Sequence, residues 1–311
     1  MKNETPDDMK KQTRVYVLIL LLLTAAAIAA GVIIYVLPVA KAVGRRIADT
    51  GTEIMTEKKG NLIRGNSGSW DPSEDGQIRR ILIDADLINF HLQSGDAFHA
   101  EWDIADRLAD VMIEERGDEL VIRKKETSVI RIGLGSSLNP DSLKSDLFLT
   151  VPEDICLETL TIEIDCGNVA ISGAASENTE IDAACGNIEL KKSRLGSLHV
   201  AADCGNVDLD QVTASDAVLQ ADLGRVAVLE GDTGTLEISA DCGQIECRRI
   251  RADRVELNAD CGSIEAGGDF ASLRAECDLG SISVETDRPE ADVDLDLSAS
   301  VGSVTVNGRK R

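Results

Sequence analysis

The sequence predicts an all-β chain: a β-solenoid of about 19-residue coils, two strands per coil, preceded by a single N-terminal transmembrane helix. Three observations predict it. A motif written most plainly at Leu198 to Leu209, LHVAADCGNVDL, returns with central glycines at Gly167, Gly186, Gly205, Gly224, Gly243, Gly262, Gly280 and Gly302. The steps are 19 residues five times, then 18, then 22, a period at which no unit buries its own apolar face and neighbours must stack on it. Within each unit, apolar or small residues recur two, four and six places before the residue preceding glycine (Ala202, Val200, Leu198) and three and five places after it (Val207, Leu209). Finally, Val15 to Leu37 is an uncharged apolar run of 23 residues, long enough at about 1.5 Å per residue to cross a bilayer with some tilt.

Met1 to Arg14 is polar and reads as a short cytoplasmic tail, with Lys10, Lys11 and Arg14 just before the apolar run. The run exceeds the usual signal-peptide core, so it is expected to remain as an anchor even though Ala40-Lys41-Ala42 has the form of a cleavage site. The expected location is therefore the cell membrane, single-pass, with the large C-terminal domain extracytoplasmic. Residues 38–76 read as a linker or stalk, glycine-bearing and polar, in which Trp70 is placed to plug the end of the next domain.

Residues 77–155 read as a degenerate first rung followed by a β-meander. Ile81, Ile83, Ala85, Asp86, Leu87, Phe90 and Leu92 fit the repeat column for column, with Ile88 in place of the glycine. Strands follow at Ala97 to Trp102, Asp110 to Glu115 and Glu119 to Lys124, the last two joined by an Arg116-Gly117-Asp118 turn whose ordinary use is structural. Residues 126–145 form a looser Ser- and Gly-rich stretch. Residues 156–311 are the regular repeats with a C-terminal cap, ending in a basic Asn-Gly-Arg-Lys-Arg.

Between the two apolar runs of a repeat the parity slips by one, which a strand cannot do without a bend, and the glycine sits at the slip. A corner there requires positive φ or an absent Cβ. The remainder of each coil reads as a polar loop of about seven residues. Cys166, Cys185, Cys204, Cys242 and Cys261 precede the glycine; Leu223, Leu279 and Val301 fill the same column, so these thiols are expected inside, as small buried hydrophobes. Cys247 and Cys277 fall in other inward columns. Disulfides between rungs fit poorly, because parallel side chains hold Cβ atoms wider apart than a relaxed bridge wants. Zinc needs four converging ligands, and a catalytic thiol needs a histidine, whereas His199 lies outside and only His91 and His99 remain.

Asp165, Asp203, Asp222, Asp241, Asp260 and Asp278 form a neighbouring column, broken by Ala184, that should face outward. At about 5 Å spacing such charges repel by about 1 kcal/mol even in water. Hydrogen bonds from each aspartate's own glycine corner are the expected compensation, ahead of shared Ca²⁺, since the calcium-binding nonapeptide is absent. No catalytic, cofactor-binding or metal-ligating residue is assigned, and no cofactor is expected.

The net charge is −23, and residues 1–42 contribute +2, leaving −25 for the rest, so nucleic acid is a poor partner. Eight aromatic residues leave little from which to build sugar-stacking grooves, and P-loop, G-x-S-x-G, H-E-x-x-H and Rossmann patterns are absent. The N-terminal apolar helix, the strand ending Leu149-Thr150-Val151-Pro152 and the I-x-I-D-C-G-N-V-x-I repeats together resemble the bacterial putative-adhesin family over roughly residues 78–307. That resemblance implies a membrane-anchored or secreted β-solenoid and carries no site residues to transfer; its members commonly show S-G-D or S-G-N where this chain has C-G-N and C-G-S.

The function expected is a non-enzymatic, membrane-anchored surface solenoid, an adhesin or an envelope-associated binding or sensing scaffold, with an envelope polymer or membrane protein as partner. A cytoplasmic polymerising scaffold of bactofilin type is the alternative. A polysaccharide-active β-helix enzyme ranks lower, because it would want longer coils and a basic, aromatic groove.

Overall fold

A computed structural model describes residues 57–59, 62–73, 77–104, 110–124 and 145–311. The expected membrane helix at 15–37 and nearly all of the 126–145 stretch lie outside them; among the described residues no helix is long and apolar enough to cross a membrane. The described residues are all-β and build a β-solenoid with the 19-residue spacing read from the glycines.

Among the described residues, nine strands precede the regular array: β1 (Glu57–Lys59), β2 (Leu62–Gly65), β3 (Ser67–Trp70), β4 (Arg80–Ala85), β5 (Asn89–Gly95), β6 (His99–Ile104), β7 (Val111–Arg116), β8 (Glu119–Lys124) and β9 (Ser145–Pro152). The degenerate rung consists of β4 and β5. They stack in parallel on the first regular rung, β10 (Leu157–Cys166) and β11 (Val169–Ser172), with Ile83 opposite Ile162 and Phe90 opposite Val169. This is the register that the aligned columns require.

The order of the layers differs from the order of the chain. β8 lies parallel to the other edge of β4 and β9 to the other edge of β5, pairing Ile83 with Ile122 and Leu92 with Leu149. The Leu149-Pro152 strand therefore lies beneath the degenerate rung, and the chain crosses that rung to reach β10. Parallel stacking stops here because β6 and β7 turn back antiparallel on β9 and β8, and β3 and β2 pair antiparallel with β6 and β7.

This antiparallel cap contains part of the stretch read as linker. Trp70 is buried and its Nε1 donates to Glu115 Oε1 at 3.0 Å, while the equally buried Trp102 donates to the Gly65 carbonyl at 3.0 Å. Two indoles with satisfied N–H groups thus close the apolar end of the stack. The Arg116-Gly117-Asp118 tripeptide forms the β7–β8 hairpin turn, with Gly117 at φ +67° and Asp118 held by Arg80 at 2.8 Å.

Above β11 the rungs repeat: β12 (Ala175–Cys185), β13 (Ile188–Lys191), β14 (Arg194–Cys204), β15 (Val207–Asp210), β16 (Thr213–Leu229), β17 (Asp232–Thr286) and β18 (Asp294–Val306). Each coil has a third side, in place of the expected polar loop. Ser176, Leu195, Ala214 and Thr233 pair in register and are buried, so this segment is a short ladder with its own inward column. It escaped the sequence pattern because it is only about three residues long, and such a segment offers one inward position to recognise. The turn into it passes through left-handed residues at the same spacing: Lys192, Gln211, Glu230 and Arg249, with φ between 49° and 57°.

The corner glycines are required by close approach. A Cβ on Gly205 would lie 1.7 Å from the Gly186 carbonyl oxygen, and on Gly262 1.5 Å from that of Gly243. Backbone of one rung occupies the space a side chain would need in the next. At the far end β18 pairs with β17 along one edge, and β19 (Arg309–Lys310) folds back on Thr305 and Val306, leaving Leu295, Leu297 and Ala299 only partly buried.

Two stability changes follow. Gly205→Ala should lower unfolding free energy by about 3 kcal/mol or more in urea titration, because rigid backbone has to move. Thr179 has a buried Oγ1 with no hydrogen-bond partner in a column otherwise held by Leu160 and Leu198. Thr179→Val should therefore stabilise by about 1 kcal/mol, and an unchanged or lower urea midpoint would show that the hydroxyl is satisfied in solution.

Candidate functional site

The richest concentration of chemically distinctive side chains lies along the outward corner. Here Asp203, Cys204, Gly205 and Asn206 and their equivalents repeat one rung apart. Asp165, Asp203, Asp241, Asp260 and Asp278 are exposed, as expected. Their compensation is not the expected one. The corner N–H groups of three successive rungs donate to main chain in the next, Gly167 to the Cys185 carbonyl at 2.8 Å, Gly186 to that of Cys204 at 2.9 Å and Gly205 to that of Leu223 at 3.0 Å.

The following N–H groups are taken by asparagines. Asn168 N donates to Asn89 Oδ1 (3.1 Å), Asn187 N to Asn168 Oδ1 (3.0 Å), Asn206 N to Asn187 Oδ1 (3.0 Å) and Arg225 N to Asn206 Oδ1 (3.0 Å). This uncharged ladder carries the corner hydrogen bonds that had been assigned to aspartate. Its signal was the C-G-N spelling, repeated in three successive rungs.

The cysteine column is outside. Cys185, Cys204, Cys242 and Cys261 are exposed and Cys166 is half-buried, while Leu223 and Leu279 in the same column are 51% and 54% exposed. The inward expectation fails because strand parity assigns a side only while the backbone runs straight. At the convex vertex two successive residues, Asp and Cys, both splay outward, and the glycine absorbs the parity slip. Leu87, 37% exposed, extends the column to the degenerate rung and Val301, 64% exposed, ends it. Cys247 and Cys277 are buried as their columns required, and desolvation pushes the Cys247 thiol up to about 12.

The exposed thiols stack in register: Cys166 beside Cys185, Cys185 beside Cys204 and, past Leu223, Cys242 beside Cys261. Partial desolvation, then the neighbouring Cys185 and the corner aspartates, raise the Cys166 and Cys204 thiols above the ordinary cysteine range. Desolvation, Cys242 and Asp260 do the same to Cys261. None of these is an activated nucleophile of the low-pKa kind.

The next side carries alternating charge. Arg225 bridges Asp208 (2.6 Å) and Glu246 (3.3 Å), and Arg248 bridges Glu246 (2.7 Å) and Glu265 (3.4 Å). Along the left-handed turn, Gln211 and Arg249 both hold Glu230, whose carboxyl is lowered first by Gln211 and then by Arg249. Pairs this exposed are screened by solvent, so they order the surface more than they stabilise it. An open depression of about 430 Å³ lies beside Gly267 and Gly268, lined by Arg248, Arg249, Glu265 and Asp287. Its two arginines are already paired, and no histidine lines it. Among the described residues, no cluster of three or more His, Cys, Asp and Glu side chains is arranged to hold a metal ion. His199 is exposed, and His91 stacks on Phe148 far from the thiols in sequence, with ring centroids 4.6 Å apart.

With the stacked corner and its inserted first rung in place, a family model described as Toastrack DUF4097 matches residues 78–300. The chain belongs to the Toastrack DUF4097 family. The chain is also similar, at low identity, to solved structures. A putative adhesin from Parabacteroides distasonis is 14% identical and covers 79% of this chain and 97% of its own, with TM-score 0.50. A putative adhesin from Bacteroides fragilis is 16% identical, covering 80% and 98%, with TM-score 0.46. A putative lipid binding protein from Parabacteroides distasonis is 14% identical, covering 78% and 96%, with TM-score 0.42. No curated protein matches the chain.

Thiol accessibility in the native state follows from this arrangement. Under brief alkylation of the folded protein, Cys185, Cys204, Cys242 and Cys261 should be modified, and Cys247 and Cys277 only after unfolding. Peptide mapping that finds the corner cysteines protected would restore the interior placement.

Proposed function

We propose that this chain is a non-enzymatic binding or sensing scaffold of the cell envelope, held by its apolar N-terminal segment and presenting the solenoid outside the membrane. One observation carries the reading: Asp203, Asp222, Asp241 and Asp260 stand on a rigid corner one rung apart, and no ion pair among the described residues engages them. A regular array of carboxylates on a stiff backbone suits a repetitive partner such as an envelope polymer or the loops of a membrane protein. It binds without ordering cost on its own side. The adhesin description attached to structural neighbours agrees with a surface role.

The rival cytoplasmic scaffold predicts the opposite topology. Protease added to intact cells should digest the solenoid if it faces outward, and protection that vanishes only on lysis would move it to the cytoplasm. Mild crosslinking of the full-length chain in cells should then recover a partner. Changing Asp203, Asp222, Asp241 and Asp260 together to Asn should reduce that recovery at least about tenfold, each carboxylate contributing a few tenths of a kcal/mol. The thermal midpoint should stay the same or rise.

A further inference from the structure

The geometry that makes the corner thiols poor disulfide formers makes them suitable for a different bond. In-register parallel strands hold equivalent side chains about 4.8 Å apart. A relaxed disulfide wants Cβ atoms about 3.8 Å apart, closer than the stack allows. Two metal–thiolate bonds of about 2.3 Å laid end to end span about 4.6 Å, close to one strand spacing. Cys166, Cys185 and Cys204 stand in such a line, as do Cys242 and Cys261, and the members of both lines face solvent or are half-buried.

We propose that these two thiol stacks bind soft monovalent closed-shell ions, copper(I) or its analogue silver(I), each ion held nearly linearly between thiolates of adjacent rungs. Soft thiolate ligands select such ions, which accept two-coordination. Zinc, which needs four ligands in a tetrahedron, is disfavoured by a single file of sulphurs. Binding breaks one S–H bond for each thiol that joins, releases the protons to solvent and forms one metal–sulphur bond at each contact; no electron moves. In the three-thiol stack Cys185 pairs with one neighbour at a time, because a sulphur bridging two on-axis ions would need a straight metal–sulphur–metal angle. The triple therefore holds one ion and the pair holds one, two per chain.

Leu87 and Leu223 bound the triple stack, and Leu223 and Leu279 bound the pair, so each run of thiols is closed by exposed leucines. The aspartates alongside, which help hold the thiols in the protonated form, also concentrate cations at the corner. For the isolated pair, two protons leave per ion. Affinity there should rise about 100-fold per pH unit while both thiols are protonated.

The test uses the full-length chain, reduced and kept anaerobic, titrated with copper(I) against a chromophoric chelator, with stoichiometry read by native mass spectrometry. The expected count is two ions. Cys185→Ser should lose one, because Cys166 and Cys204 are then two rungs apart. Cys204→Ser should lose none, since Cys166 and Cys185 remain adjacent, Cys261→Ser should lose one, and Cys247→Ala none; circular dichroism checks that each variant is folded. Equal losses for Cys185→Ser and Cys204→Ser would overturn the pairing of adjacent rungs. Failure to compete with the chelator, retention of two ions in Cys185→Ser, or zinc bound with the same count would overturn the site. Native disulfides at these positions in protein isolated without reductant would do the same.

Discussion

The structure depends on one close approach, that of each corner glycine to the carbonyl oxygen of the corner residue one rung before it, Ile88 for Gly167 and a glycine from Gly186 onward. The oxygen occupies the place where a Cβ would be built, at 1.4 to 1.8 Å. Only a residue without a side chain lets the backbones nest this tightly. Nesting at the corner fixes the register of the strands on both sides of it, Ala183 opposite Ala202 and Ile188 opposite Val207. Once the register is fixed, every position in a coil becomes a column, and chemistry spelled once in the repeat is multiplied along the stack.

Columns have different consequences inside and outside. Inside, a column of Leu, Val, Ala and Ile joins into a continuous core, and a single misfit such as the Thr179 hydroxyl is felt because its neighbours are fixed. Outside, identical groups are forced together. The chain relieves this differently at each place: with asparagine ladders at the corner, with alternating Arg and Glu on the next side, and with thiols or leucines where neither charge nor hydrogen bonding is offered. The thiol column is thus tolerated structurally by leucine and valine, which hides its exposure from the sequence and leaves its chemistry unassigned by family membership.

A stack of this kind needs an end, since parallel ladders otherwise continue indefinitely. The chain makes one by placing β8 and β9 beneath the degenerate rung and then reversing direction, with Trp70 and Trp102 over the apolar opening. Where the lowest corner lacks a rung beneath it, buried Lys124 supplies the missing donors, its Nζ lying 2.7 Å from the Asp86 carbonyl and 3.1 Å from that of Leu87. The corner carbonyls are satisfied at the boundary by an ammonium in place of backbone.

By itself the sequence determined the solenoid, its 19-residue spacing, the fit of Ile81 to Leu92 to the repeat and the burial of Cys247 and Cys277, because periodic burial is a local property repeated many times. Tertiary structure alone decided the rest. Which side Cys204 faces depends on the curvature of the backbone at a vertex, and parity cannot be counted through a bend. That β9 lies below β5 rather than before β10 depends on which strand edges remain open after the first rung forms. The third side of each coil and the asparagine bonds exist only between residues 19 apart that stacking has brought within 3 Å. Sequence order does not bring them together; the nested glycine corners do.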